Sequence, residues 1–219
     1  MGDQTMYDTF IFDLDGTLVT LEMDFKALRK ELEEILCSHG FPEDKIAWDI
    51  SIVDSLDLFR EEMAILKLDG DSAVNDVIAR VYEYEVERAE HTVAIPGARE
   101  TLSHLRDKGY KIAVATRNNK DAALVSLENA GLLPYVDTLL SREDAERLKP
   151  HPDQFERALK RLGTTPEKAI VVGDYTYEIT AGKTLGCLTI GVLSGGGNED
   201  DLKEADIIVE SVAELQHFF

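Results

Sequence analysis

Two hydrophobic rhythms alternate along most of the chain. Short runs that are apolar at nearly every position predict strands buried on both faces: Tyr7–Leu14, Lys111–Thr116, Ala169–Asp174, Leu188–Leu193 and Asp206–Val209, with Thr138–Leu140 a weaker sixth. Between them, apolar residues recur at helical spacing over Gly97–Lys108, Asp121–Ala130, Pro152–Leu162 and Glu178–Leu185. Strands alternating with helices predict an α/β fold: a doubly wound, Rossmann-like core built on a parallel sheet covered on both faces.

From about Leu21 to about His91 the rhythm is helical only. Phe25, Leu28, Leu32, Ile35 and Leu36 predict one helix, which Gly40 ends. Pro42 opens a second helical stretch with Ile46, Ile50, Val53, Leu56 and Phe59, broken at Asp69-Gly70-Asp71. Val74, Val77, Ile78, Val81 and Tyr82 predict a third. This is a helical insertion between the first and second sheet strands, so the domain division expected is 1–17 with 96–219 as the core and 18–95 as the insertion. Trp48 is expected in the insertion's own core.

The 219 residues suffice for one core plus a smaller insertion, and 44% apolar with 30% charged residues is a globular balance. Asp and Glu outnumber Lys and Arg by 43 to 23, a net charge of −20, of which −11 lies between Leu18 and Ile95. So acidic a surface repels phosphate backbones and anionic lipid, which argues against nucleic acid and membrane as partners. It does not exclude a small anionic substrate, because a bound cation reverses the sign of a site locally. Cys37 and Cys187 stand in no metal-binding or redox spacing and are expected as reduced thiols. Met1–Thr5 carries no secretory pattern and no apolar run approaches a membrane span, so a cytoplasmic location is expected.

Chemistry-bearing residues gather where the predicted strands end. Asp13 and Asp15 follow the first strand and Thr116 ends the second. Lys149 precedes Pro150 before a helix; Asp174 ends the strand begun at Ala169, and Glu178 lies one helical turn later. In an open parallel sheet, the loops at the carboxyl ends of neighbouring strands face one crevice. Carboxylates brought together there repel one another unless a cation joins them, and a hard divalent ion such as Mg2+ suits an all-oxygen set. Thr116 and Lys149 then call for an anionic, oxygen-rich ligand. Phosphate fits, and the set points to metal-assisted phosphoryl transfer with an Asp as nucleophile.

The segment Phe12-Asp13-Leu14-Asp15-Gly16-Thr17-Leu18 resembles the first motif of the haloacid dehalogenase superfamily of phosphatases. Val114-Ala115-Thr116, Leu148-Lys149-Pro150 and Val172-Gly173-Asp174 with Glu178 resemble its second, third and fourth, in the same order. The resemblance implies Asp13 as the nucleophile that forms an aspartyl-phosphate and Asp15 as the general acid and then base. It implies Mg2+ held by Asp13, the Asp15 carbonyl and Asp174, with Glu178 acting indirectly. Thr116 would bind the phosphoryl oxygens, and Lys149 would neutralise charge between Asp13 and the phosphate. The helical insertion matches in position the cap of the phosphoglycolate-phosphatase-like branch, so a phosphoric monoester hydrolase acting on a small phosphorylated metabolite is expected, as a monomer or homodimer.

Three positions depart from the usual pattern. Tyr175 follows Asp174 where many relatives carry a small hydroxyl residue, and Glu178 stands where Asp is commoner. Arg117 stands where many members of that branch have Asn, and is a candidate contact for a substrate carboxylate or second phosphate. Two rival readings fit the residues less well. A sugar-phosphate mutase of the β-phosphoglucomutase type would show a His shortly after a Thr near the first hinge, yet Thr20 is followed by Leu21-Glu22-Met23-Asp24-Phe25. A phosphoacceptor signalling module would carry its acceptor on a third strand and lack the insertion. His151 is expected as a loop cap, and Ser194-Gly195-Gly196-Gly197-Asn198 as a flexible turn after the fifth strand.

Overall fold

The computed structural model describes residues 6–20, 24–48 and 51–219, without the side chains at 53 and 54. Six strands form one sheet: β1 (Thr9–Phe12), β2 (Lys111–Ala115), β3 (Thr138–Leu140), β4 (Ala169–Gly173), β5 (Leu188–Val192) and β6 (Ile207–Val209). Their order is β3-β2-β1-β4-β5-β6, and every pairing is parallel. The chain grows outward from β1 to β3, then returns to the other side of β1 for β4. The reversal puts the ends of β1, β2 and β4 side by side, the usual ligand position of such sheets.

Alternation along each strand divides the core in two. Phe10, Phe12, Ile112, Val114, Ile170 and Val172 face one layer, built from α4 (Ala98–Asp107), α5 (Lys120–Asn129) and a 3-10 turn at Val212–His217. Ile11, Ala113, Ala115 and Val171 face the other, built from α6 (Asp153–Leu162) and α7 (Thr176–Leu185). The doubly wound α/β architecture read from the sequence is the architecture found. The strands are shorter than their apolar runs: β1 stops at Phe12, and the next residues turn back, with the Leu18 and Val19 amides donating to the Leu14 carbonyl. Gly16, at φ +86°, makes that turn possible.

Clustering of contacts divides the chain into two compact units, Met1–Glu22 with Ala89–Phe219, and Met23–Arg88. The sequence reading put the junctions at 17/18 and 95/96. In the structure the connecting segments join the sheet unit: Val19 bridges to Asp15 and Ala94, and the Ile95 amide donates to the Leu18 carbonyl at 2.9 Å. Leu18, Val19 and Ile95 are thereby buried in the sheet's core.

The second unit contains α1 (Phe25–Ser38), α2 (Ile52–Ile65) and α3 (Gly70–Ala89). Asp24 caps α1 by accepting from the Lys26 and Ala27 amides. Leu28, Leu32 and Leu36 pack against Phe59, Met63, Val74, Val77 and Val81. The start at Pro42 expected for the second helical stretch is corrected: among the described residues 42–48 only a 3-10 turn, Glu43–Lys45, forms, and Ile46 is extended. The helix begins at Ile52, with the Ser51 carbonyl accepting from the Ser55 amide. The apolar spacing was right for burial but not for helix. Trp48 is held by a ring contact to Phe59 (5.0 Å) and a hydrogen bond from its Nε1 to Glu33 (2.9 Å), and this anchors a non-helical segment. Ile50, Leu21, Glu22, Met23 and Met1–Thr5 lie outside the described residues.

Among the described residues no helix is long and apolar enough to cross a membrane. Cys37 is exposed, whereas Cys187 is buried among Phe155, Ala158 and Ala181. Burial, with Glu167 nearby, pushes the Cys187 thiol up to about 11. A disulfide-exchange reagent at pH 8 is expected to label one thiol per native chain promptly and two after denaturation. Prompt labelling of both in the native state would contradict this burial.

Candidate active site

The segment after β1 carries Asp13, whose amide continues the strand pairing by donating to the Val172 carbonyl at 2.9 Å. The side chain is therefore placed where β1 and β4 end together. Thr116, at the end of β2, is held by its amide on the Leu140 carbonyl (2.9 Å) and by its own carbonyl accepting from the buried Gln154 amide (2.8 Å). Its hydroxyl accepts from the Asn118 amide at 3.0 Å. The Thr116 hydroxyl and the Asn118 side-chain amide both lie 3.5 Å from Asp15 Oδ2, at the long end of hydrogen bonding.

Lys149 ties three elements together. Its Nζ donates to Asp13 Oδ1 at 2.5 Å and to the Ala115 carbonyl at 2.8 Å, and lies 2.7 Å from Glu178 Oε1. These three contacts match the three donors of an ammonium. The residue is 1% exposed. Glu178 reaches it from the first turn of α7, and its side chain lies so close to Gly173 that a Cβ there would collide with it. Glu178, expected as an indirect metal partner, meets Lys149 in the structure, with Oε2 buried and without a hydrogen-bond partner.

Asp174 stands at the end of β4, and its Oδ2 accepts from the Gly196 amide at 2.7 Å. Asp13, Asp174 and Glu178 are all buried, with the Lys149 ammonium among them. The site is short of positive charge. Burial, together with the neighbouring carboxylates of Glu178, Asp174 and Asp15, pushes Asp13 well above the usual carboxylate range despite Lys149. Burial and Glu178 also raise Asp174, against the Gly196 hydrogen bond. Burial alone would lower Lys149, but Asp13 and Glu178 outweigh it and hold the ammonium charged.

The chemistry of this set fits a hard cation. Among the described residues no group of three or more His, Cys, Asp or Glu side chains forms a ready metal cage. Magnesium does not require one, since it is commonly held by one or two carboxylates and completes its shell with water and substrate oxygens. The surplus negative charge and the unsatisfied Glu178 oxygen are what such an ion would relieve.

Arg117 lies beside this cluster. Its Nη1 donates to the Lys149 carbonyl (3.2 Å), and its guanidinium lies 4.9 Å from the centre of the Tyr177 ring. Tyr177 in turn meets Tyr175 edge-on at 5.1 Å. His151 accepts from the Asp153 amide at 3.2 Å, as a loop cap does. Several residues here were not singled out from the sequence. Asn118 faces Asp15, and Gln154 braces the Thr116 carbonyl. The Ser194–Gly197 stretch does more than turn the chain: Ser194 Oγ donates to the Gly16 carbonyl at 3.0 Å and the Gly196 amide holds Asp174.

The family model described as haloacid dehalogenase-like hydrolase matches residues 7–186. The chain belongs to this family. Among curated relatives, a pyrophosphatase PpaX from Bacillus pumilus is 27% identical, with 98% of this chain and 97% of that protein covered. A phosphoglycolate phosphatase from Shigella dysenteriae is 29% identical, covering 93% and 89%. A crystal structure described as a predicted phosphoglycolate phosphatase from Haemophilus somnus superposes with a TM-score of 0.74 at 22% identity, covering 99% of both chains. A β-phosphoglucomutase from Clostridium difficile superposes at 0.67 with 20% identity, covering 96% and 93%, a likeness of fold. The expectation of a phosphatase of this superfamily, on its phosphoglycolate-phosphatase-like branch, holds.

Proposed function

We propose that this haloacid dehalogenase-family phosphatase hydrolyses a small, phosphoglycolate-like phosphate monoester through an aspartyl-phosphate on Asp13, with Mg2+ as cofactor. The observation that carries the reading is the Lys149 ammonium, its donors engaged by Asp13, Ala115 and Glu178, which fixes a buried carboxylate at the end of β1. An Asp13 oxygen attacks phosphorus as the P–O bond to the alcohol breaks, and Asp15 gives its proton to the departing oxygen. Asp15 then takes a proton from the water that attacks the acyl phosphate, which frees Asp13 and inorganic phosphate. Thr116 and Lys149 bind and neutralise the phosphoryl oxygens, and Arg117 meets a second anionic group of the substrate. Asp13, Asp174 and the Asp15 carbonyl would hold Mg2+, which when bound adds positive charge against the developing transition state. The helical unit serves as a cap that admits substrate and limits water.

A panel of phosphorylated metabolites, assayed for inorganic phosphate with Mg2+ and with chelator, tests this reading. Release that needs the metal and is fastest with small carboxylated monoesters is expected. Metal-independent hydrolysis would refute the cofactor assignment, and isomerised sugar phosphate with little free phosphate would favour a mutase. Asp15→Ala is expected to slow turnover by roughly 10²–10⁴, most with poor leaving groups. An equal loss across aryl phosphates of different leaving-group pKa would exclude the acid role.

A further inference from the structure

The loop after β5 is the motif that the proposed chemistry leaves unused, and it closes on Asp174. Gly196 donates its amide to Asp174 Oδ2 at 2.7 Å. A Cβ at Gly195 would collide with the Asp174 carboxylate, and one at Gly197 with the Asp174 carbonyl. A Cβ at Gly16, on the turn bearing Asp15, would also strike Asp174 Oδ2. Ser194 Oγ fastens the loop to that turn through the Gly16 carbonyl, at 3.0 Å. Bare backbone from two distant segments thus lies against one carboxylate, at positions where a side chain would displace it.

We propose that the Ser194–Gly197 loop is a positioning element that orients Asp174 for the divalent cation, the Gly196 amide fixing Oδ2 so that Oδ1 is offered to the ion. This rests on the reading of Asp174 as a metal ligand. The reason is general: a ligating carboxylate held in one orientation by an outer hydrogen bond loses less freedom on binding, and removal of such a partner typically costs about 10–100-fold in metal affinity. Glycine is required at 195 and 197 because the enclosing contacts are made by the backbone itself. Gly196 is different: a Cβ there would stand 3.8 Å from Oδ2, an ordinary contact, and the amide is what matters.

The experiment is calorimetric titration of Mg2+ into the full chain without substrate, beside the metal-free melting temperature. Gly195→Ala is expected to weaken Mg2+ binding about tenfold or more, while the metal-free chain stays folded and melts cooperatively. Gly196→Ala, which keeps the amide, is expected to bind Mg2+ within about threefold of the parent, well short of the loss expected for an outer-sphere partner. Parent-like binding by Gly195→Ala overturns the proposal. So does an equal loss in both variants, since that would mean general disruption of the loop. If Gly195→Ala does not fold, Ser194→Ala decides: removing the tether is expected to weaken binding by about tenfold, the low end of the loss for an outer-sphere partner, and binding within about threefold of the parent overturns the proposal. Asp174→Asn separates this inference from the reading beneath it. If Mg2+ binding survives that change, the ligand assignment fails; if it is lost while Gly195→Ala binds normally, only the positioning role fails.

Discussion

Asp13→Asn is expected to abolish turnover of p-nitrophenyl phosphate in the presence of Mg2+, a loss on the order of 10⁴ or more, as when a covalent nucleophile is removed from other hydrolases. Asn matches Asp in shape, so the β1–β4 register and the Asp13 amide bond to Val172 remain available. It cannot form a labile acyl phosphate. Stability is expected to move the other way or not at all. Lys149 keeps the Ala115 carbonyl and Glu178 and can still donate to the amide oxygen at position 13, while one of three buried carboxylates loses its charge. A melting temperature at or above that of the parent, together with loss of turnover, separates the chemical role from folding. Residual turnover within about tenfold of the parent would reject Asp13 as nucleophile, since that leaves under about 1.4 kcal/mol of transition-state stabilisation to it.

Lys149→Met should produce the largest loss of stability at the site. Methionine fills much the same space without the ammonium, and Asp13 and Glu178 then face each other in a buried setting with no counter-ion. Breaking a buried ion pair from one side costs roughly 3–5 kcal/mol, which for a chain of this size lowers the melting temperature by roughly 6–20 °C. The double change Lys149→Met with Glu178→Gln should recover part of that loss, because one stranded charge goes with the cation. Turnover falls in both variants. A metal-free melting temperature unchanged in Lys149→Met would contradict the arrangement in which this ammonium holds β1, β2 and α7 together.

Three of the candidate site residues were legible because they lie where an apolar run stops. Asp13 follows Phe12, Thr116 follows Ala115 and Asp174 follows Gly173, and a buried run ended by a polar residue marks the carboxyl end of a strand. Other features left weaker traces. Residues 42–48 carry apolar spacing compatible with a helix, but spacing reports burial and not backbone angles, and Ile46 is extended with Trp48 held by Phe59 and Glu33. The glycine-rich stretch looked like a turn because a glycine's function lies in what approaches its bare Cα, and that neighbour, Asp174, is some twenty residues away.

By itself the sequence determined the alternation of strand and helix, the helical insertion and the candidate side chains for chemistry, because these follow from local periodicity and residue type. Only the tertiary structure decided the strand order β3-β2-β1-β4-β5-β6, the meeting of Glu178 with Lys149 and the enclosure of Asp174 by glycine backbone. Those depend on which distant segments share the space at the ends of β1, β2 and β4. Chain spacing leaves that choice open, and it is made by the packing of both sheet faces at once.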